Sequence, residues 1–289
     1  MENNDFRIKI YSKIDELPTL PSVVPRLLNL VEDKRTNAAD ITDLISHDPA
    51  LAAKVMKVAN SAYYGFSQEI SDLNRAVALL GLNMVKSLAL SIGVLRNLPP
   101  GKKSSGFSQK DLWLHSVAVA ATIKEIGERH MKGVDLDHLF MLGLLHDIGI
   151  IVLDQFFPEL FKKVLDESLN LKYRELHIAE QRAIGLDHGE IGAMLLIRWK
   201  FPEAISSPIA VHHQAVLPDG ADSRDVAILR VADVISHEIG LDMEGPVIVR
   251  KILECDLDVL GIGEQDLLDL KEYMGSQKEG ITAFFKAMV

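Results

Sequence analysis

Phe140-Met141-Leu142-Gly143-Leu144-Leu145-His146-Asp147 is an apolar run that ends on an adjacent imidazole and carboxylate. Such a run belongs inside a protein. A polar pair at its end is costly to bury unless it is paired or coordinates an ion. The run predicts a helix over 137–153, and the same helical character extends in both directions, with strand alternation nearly absent. Upstream, Ser108 is placed to cap a long helix reaching about Met131. Downstream, helices are expected over 158–168, 172–184, 188–199, 202–212, 223–239 and 265–273.

The first hundred residues read as a separate set of short helices. Val23, Val24, Leu27, Leu28 and Val31 make an i, i+3, i+4 stripe within 21–32. Thr36 and Asn37 can cap a helix carrying Ile41, Leu44 and Ile45. Asp48 followed by Pro49 is a further start, a capping carboxylate before a proline where no amide hydrogen is needed. The helix over 51–59 stops at Asn60-Ser61-Ala62-Tyr63-Tyr64-Gly65, and two more follow over 72–80 and 84–95. Pro99-Pro100-Gly101-Lys102-Lys103-Ser104-Ser105-Gly106 cannot continue a helix and is the clearest break. The expected fold class is all-α: an N-terminal helical subdomain over 1–100, a linker over 99–106, and a C-terminal helical bundle over 107–289.

Composition narrows the chemistry. The chain has 289 residues, a formal charge of −10, ten histidines and one cysteine. Cys255 alone excludes an internal disulfide framework, a cysteine-rich zinc module and an iron–sulfur cluster held by this chain. The acidic balance argues against nucleic acid as a partner. The start, Met1 to Tyr11, has no apolar signal core, and no stretch is expected to approach the roughly 18 apolar residues of a membrane span. The expectation is a cytoplasmic protein without a membrane partner.

Metal-competent side chains recur on the expected helices. His115 lies four residues after Asp111, His188 follows Asp187 at a helix start, and His212-His213 closes the 202–212 helix. Asp233 is a lone carboxylate within the apolar Leu229-Arg230-Val231-Ala232-Asp233-Val234-Ile235. Nitrogen and oxygen donors without thiolate suit iron, manganese or zinc rather than calcium or magnesium. The bland reading of each is a structural His–Asp pair or a capping carboxylate. His47 reads as a helix-end residue, and His130, His138 and His177 read as exposed. His237, four residues after Asp233, reads equally as a partner of that carboxylate or as surface.

His146-Asp147 with His115 upstream and Asp233 downstream resembles the H…HD…D signature of the HD superfamily of metal-dependent phosphohydrolases. Four N-terminal segments are similar to the HDOD domain (HD-related output domain): Leu17-Pro18-Thr19-Leu20-Pro21, Ile45-Ser46-His47-Asp48-Pro49-Ala50-Leu51, Ala59 to Gly65, and Arg75-Ala76-Val77-Ala78-Leu79-Leu80-Gly81-Leu82. That resemblance covers roughly residues 15–215 and makes the C-terminal bundle HD-like. It implies a helical bacterial signalling module that acts through signalling protein partners, most members lacking the full catalytic set.

The second half also resembles HD-GYP phosphodiesterases, which degrade cyclic di-GMP at a two- or three-iron site. His115, His146, Asp147, His188, His212, His213 and Asp233 fall in the order of that family's ligands, and Asp111 falls where an additional carboxylate can stand. The resemblance implies a divalent transition metal, iron or manganese foremost, as one or two ions. Two departures bear on activity. Ile150 stands where that family has the lysine of HDIGK, and His212-His213-Gln214 replaces HHE, with no glycine-tyrosine-proline after Asp219-Gly220. The preferred reading is a metal-bearing output protein. The alternative is a metal-dependent phosphohydrolase acting on a nucleotide or cyclic dinucleotide, with Asp147 catalytic and a small phosphorylated ligand. A third is an iron sensor of oxygen or redox state. Oligomeric state is left open.

Overall fold

The computed structural model describes residues 2–16, 20, 22–32, 35–98, 107–133, 136–168, 175–214, 216–218, 223–241 and 251–289. The expected linker 99–106, the 172–174 start of one expected helix and the 219–222 segment lie outside the described residues. The described residues contain α1 (Glu2–Glu16), α2 (Val23–Glu32), α3 (Ala38–Ser46), α4 (Pro49–Ala59), α5 (Leu73–Leu80), α6 (Leu82–Asn97), α7 (Gln109–His130), α8 (Leu136–Leu145) and α9 (Ile148–Phe156). Then follow α10 (Pro158–Ser168), α11 (Leu176–Ile184), α12 (His188–Arg198), α13 (Glu203–Val211), α14 (Ser223–Glu238), α15 (Glu254–Leu260), α16 (Glu264–Ser276) and α17 (Lys278–Met288). The fold is all-α. Two compact units divide the chain: Pro18–Pro99 with Ser276–Val289, and Met1–Leu17 with Pro100–Gly275. Each terminal segment thus groups differently from a linear division near residue 100.

In the smaller unit, Val24, Leu27, Ile41, Ile45, Leu51, Val55 and Leu88 are fully or almost fully buried. Asn37 forms a capping box with Asp40 at the start of α3. Asn60 ends α4, and its side-chain amide pairs with both backbone groups of Ile70, Oδ1 accepting at 2.7 Å and Nδ2 donating at 3.0 Å. The amide thereby stands in for one rung of a strand ladder and closes the 61–69 turn. Tyr63 packs edge-on against Tyr64 and Phe284, both at 5.2 Å, so the tyrosine pair belongs to the packing of α17.

Asp48 caps α4 by accepting from the Leu51 amide at 3.0 Å and pairs with Arg96 at 2.9 Å. Burial alone would raise its carboxyl pKa, but the Leu51 amide and the Arg96 guanidinium outweigh it and hold it below the usual value. A depressed carboxyl pKa adds stability that is present above the unfolded value and lost as pH falls through the folded one. Asp48→Ala should therefore cost about 1–2 kcal/mol at neutral pH. In urea titrations its deficit against the parent should be clear at neutrality and shrink at about pH 3.

The larger unit is organised around α7, against which α8 and α14 pack, while α12 packs against both α9 and α13. Close approach is built in by glycine. A Cβ at Gly149 of α9 would lie 2.0 Å from the His188 carbonyl oxygen and 2.7 Å from the Gly192 amide nitrogen. A Cβ at Gly189 of α12 would lie 2.6 Å from the Ile209 carbonyl oxygen. Backbones meet there without side chains between them, which draws the starts and ends of α9, α12 and α13 together.

The expected 137–153 helix is broken. α8 ends at Leu145, His146 and Asp147 form a turn, and α9 begins at Ile148. The polar pair leaves the helical path because both side chains turn toward other donors and acceptors. The expectation about membrane-length apolar stretches also needs correction. Read across that break, His138–Phe156 contains a window of mean hydropathy 1.6, long and apolar enough to cross a membrane, and 94% of the window is buried inside the fold. α1, α15 and α17 were not expected from the sequence. Among the described side chains of α1, Ile10 and Ile14 are the buried ones and have charged neighbours, which leaves little apolar stripe to read.

Candidate metal centre

Five segments, four helices and one helix break, bring the histidines and aspartates to one place. α7 supplies His115, and the α8–α9 break supplies His146 and Asp147. His188 opens α12, fixed there by a capping box between Asp187 and Glu190. His212 caps the end of α13, with His213 next to it, and α14 supplies Asp233 and His237. All are buried, from 0% exposure at His115 to 7% at His237, except His213, which is half-buried.

Asp147 divides its oxygens between two groups of imidazoles. Oδ1 lies 3.1 Å from His188 Nε2 and 4.0 Å from His212 Nε2. Oδ2 lies 3.2 Å from His146 Nε2 and 4.0 Å from His115 Nε2. A third grouping forms at Asp233, whose Oδ1 is 3.1 Å from His115 Nε2, 3.3 Å from His237 Nε2 and 4.0 Å from His146 Nε2. The donor atoms of Asp147, His188, His212 and His213 all lie within 4.8 Å of one another. The same holds for His115, His146 and Asp147, and for His115, Asp233 and His237.

The outer nitrogens fix the inner ones. Nδ1 of His115 donates to the Leu241 carbonyl at 3.1 Å, Nδ1 of His146 to Gly143 at 2.7 Å, and Nδ1 of His212 to Ile209 at 2.7 Å. A carbonyl only accepts, so each of these rings carries its proton on Nδ1 and, when neutral, turns an Nε2 lone pair inward. His188 Nδ1 bonds Glu180 Oε2 at 2.7 Å, and the same oxygen accepts from the His188 backbone amide at 2.8 Å. Arg230 braces the next turn from behind, donating to the carbonyls of His212 and Gln214 while pairing with Asp256 at 3.2 Å.

This donor set fits a cation. The inward Nε2 atoms of His146 and His212 are buried and make no hydrogen bond. His188 and His213 bring two Nε2 atoms within 2.6 Å of each other, a separation that requires a proton between them when no ion holds them apart. The electrostatics agree. Burial alone would raise the Asp147 carboxyl, but His146 and His188 hold it well below its usual value. Burial, with the charges of His188 and His146, pushes His212 well down. Burial opposes protonation of His188 too, yet Glu180 and Asp147 together carry it well up.

Every residue of the expected ligand set is therefore brought together except Asp111, which belongs to none of the three groups among the described residues. It sits in the first turn of α7, its amide capped by Ser108. Three histidines read as exposed are half-buried: His130, His177, which stacks on His213 at 4.5 Å, and His138, whose Nε2 lies 3.0 Å from Asp225. His237 is buried against Asp233, which is the partner reading of its two. His47 is the C-cap of α3 and exposed, as read. Glu180, fully buried behind His188, was missed. It lies eight residues away in a stretch with charged neighbours, and no periodicity ties it to the site.

Glu180 permits a sharp test. A carboxylate behind a ligating histidine orients the ring and raises its basicity, and its loss typically costs about 10–100-fold in metal affinity. Glu180→Gln should lower cobalt affinity in chelator competition by that amount, with little change in far-ultraviolet circular dichroism. Unchanged affinity would mean that Glu180 only fills space behind the ring.

Comparison with known proteins identifies the family. The HDOD domain profile matches residues 17–215. The chain belongs to the HDOD domain family. Its fold is similar to that of an HDOD domain protein of unknown function from Geobacter sulfurreducens, with 26% identity, coverage of 97% of this chain and 98% of that one, and a TM-score of 0.78. A protein from Shewanella amazonensis SB2B provisionally named a phosphohydrolase is similar at 26% identity, the same coverage and a TM-score of 0.76. An uncharacterized protein of Treponema pallidum (strain Nichols) is 28% identical over 223 residues, 77% of this HDOD chain. The chain spans 42% of the length of that relative and 15% of YuxH of Bacillus subtilis (strain 168), to which it is 33% identical over 60 residues.

Proposed function

We propose that this HDOD protein is a signal-transduction output module that carries a divalent transition-metal centre and acts mainly through protein partners. The observation that carries the reading is Asp147, a buried carboxylate whose two oxygens face separate histidine groups. His188, His212 and His213 would hold an ion on the Oδ1 side. His115, His146 and Asp233 would hold one on the Oδ2 side. The ligand chemistry favours iron or manganese. Two features favour interaction over catalysis. The centre is enclosed, and Ile150, buried at 1% exposure, stands at the sequence position where HD-GYP phosphodiesterases carry a lysine for the substrate phosphate.

A second reading has its own support. Two ions sharing a carboxylate can clamp the attacking and leaving oxygens of a phosphoester and supply hydroxide near neutral pH. In that case Asp147 would hold the pair together, and the substrate would be a nucleotide or cyclic dinucleotide.

Metal analysis of the full chain purified after metal-replete growth tests the first step. Less than about a tenth of an equivalent would sink both readings. With metal present, a panel of cyclic dinucleotides and nucleotide monophosphates separates them. Turnover that is abolished by chelation favours the hydrolase. No turnover, together with an identified partner whose binding changes when metal is removed, favours the output module.

A further inference from the structure

The histidine of α14 has no role in the ligand set so far assigned, yet it points at the same atom as two of its members. His237 Nε2 and His115 Nε2 stand 3.3 Å and 3.1 Å from Asp233 Oδ1, and the two rings lie 4.4 Å apart at an interplanar angle of 30°. His237 is 7% exposed, and its position four residues after Asp233 puts both side chains on one face of the helix. Donors that share one ion at about 2.0–2.2 Å stand roughly 3.0–3.5 Å from each other. Both separations fall in that range. A surface histidine paired with a carboxylate would have no reason to align with a second buried ring on the same oxygen.

We infer that His237 is a metal ligand, joining His115 and Asp233 to complete the half of the centre nearest α14. This deepens the proposed metal reading and rests on it. The chemical consequence is closure. His115, His237 and Asp233 share one focus, and His146 Nε2 lies 4.0 Å from the same Asp233 oxygen. One more protein donor then takes a position that a hydrolytic centre would keep for water or substrate. The extra histidine thus narrows the room for a reacting ligand on this half, which suits an output module.

The test uses the full chain loaded with cobalt(II) and compares the parent with His237→Gln, which keeps a polar side chain but lacks the imidazole. The parent is expected to bind more cobalt than the variant by one equivalent, a loss larger than the roughly 10–100-fold in affinity that follows removal of a group standing behind a ligand. The visible cobalt spectrum should change with it. His237→Cys should restore the equivalent and add a thiolate-to-cobalt charge-transfer band. Equal content, equal affinity and an unchanged spectrum in the glutamine variant would overturn the inference while leaving the metal centre standing. A parent that binds no cobalt would instead overturn the metal reading itself. Should the variants fail to fold, anomalous diffraction from metal-loaded parent crystals decides the matter. An Nε2–metal distance near about 2.1 Å supports His237 as a ligand, and a distance beyond about 3 Å excludes it.

Discussion

Asp147→Asn is expected to empty the centre. Among the described residues, Asp147 is the one whose two oxygens reach both histidine groups, so neutralising it removes a ligand from each side at once. Metal content after metal-replete expression should therefore fall from the parent's value to below about a tenth of an equivalent. A ligand present at about 100 times its dissociation constant stabilises the folded state by about 2.7 kcal/mol. Chelation should accordingly lower the parent's melting temperature and leave that of the variant nearly unchanged.

The metal-free protein carries its own pH signature. The folded Asp147 carboxyl is held well below its ordinary value, against burial, by His146 and His188. That contribution is present above the unfolded carboxyl pKa and lost as pH falls through the folded value. The chelated parent should thus exceed chelated Asp147→Asn in stability at neutral pH, and the gap should narrow in acid. A variant that keeps the parent's metal content would place the ions elsewhere and end the proposal.

Much of this centre is legible in the sequence because burying histidine and aspartate in apolar runs is costly. His146-Asp147 after six apolar residues, and Asp233 inside another apolar segment, stand out for that reason. The helix break between Leu145 and Ile148 is not legible, because the local pattern is helical throughout and only the tertiary partners of the two side chains pull them out of it. His237 carried a signal, its spacing of four from Asp233, but periodicity cannot tell which face of a helix is buried. Glu180 carried none, since its link to His188 runs between two helices. α17 could have been found: Ile281, Phe284, Phe285 and Met288 repeat at helical spacing and are buried.

Gly149→Ala should damage both stability and the centre, and it shows why the glycine after His146-Asp147-Ile148 is part of the site. The added Cβ would lie 2.0 Å from the His188 carbonyl oxygen and 2.9 Å from its carbon, so backbone must move. Forcing extra volume into such packing costs about 1–3 kcal/mol and more where, as here, no flexible side chain can yield. A loss of about 3 kcal/mol would lower the melting temperature by roughly 6–12 °C for a unit of this size. The displaced segment carries His188, whose Nε2 lies 3.1 Å from Asp147 Oδ1, so a shift of that carbonyl also misplaces a ligand. Gly192→Ala is the control, because its nearest contacts are at 3.1 Å and one of them is the Ile148 side chain. Thermal melts and metal analysis of the two variants should therefore separate, with Gly149→Ala losing both stability and metal. Equal behaviour would mean that α9 and α12 can part without disturbing the ligands, and that the close crossing serves packing alone.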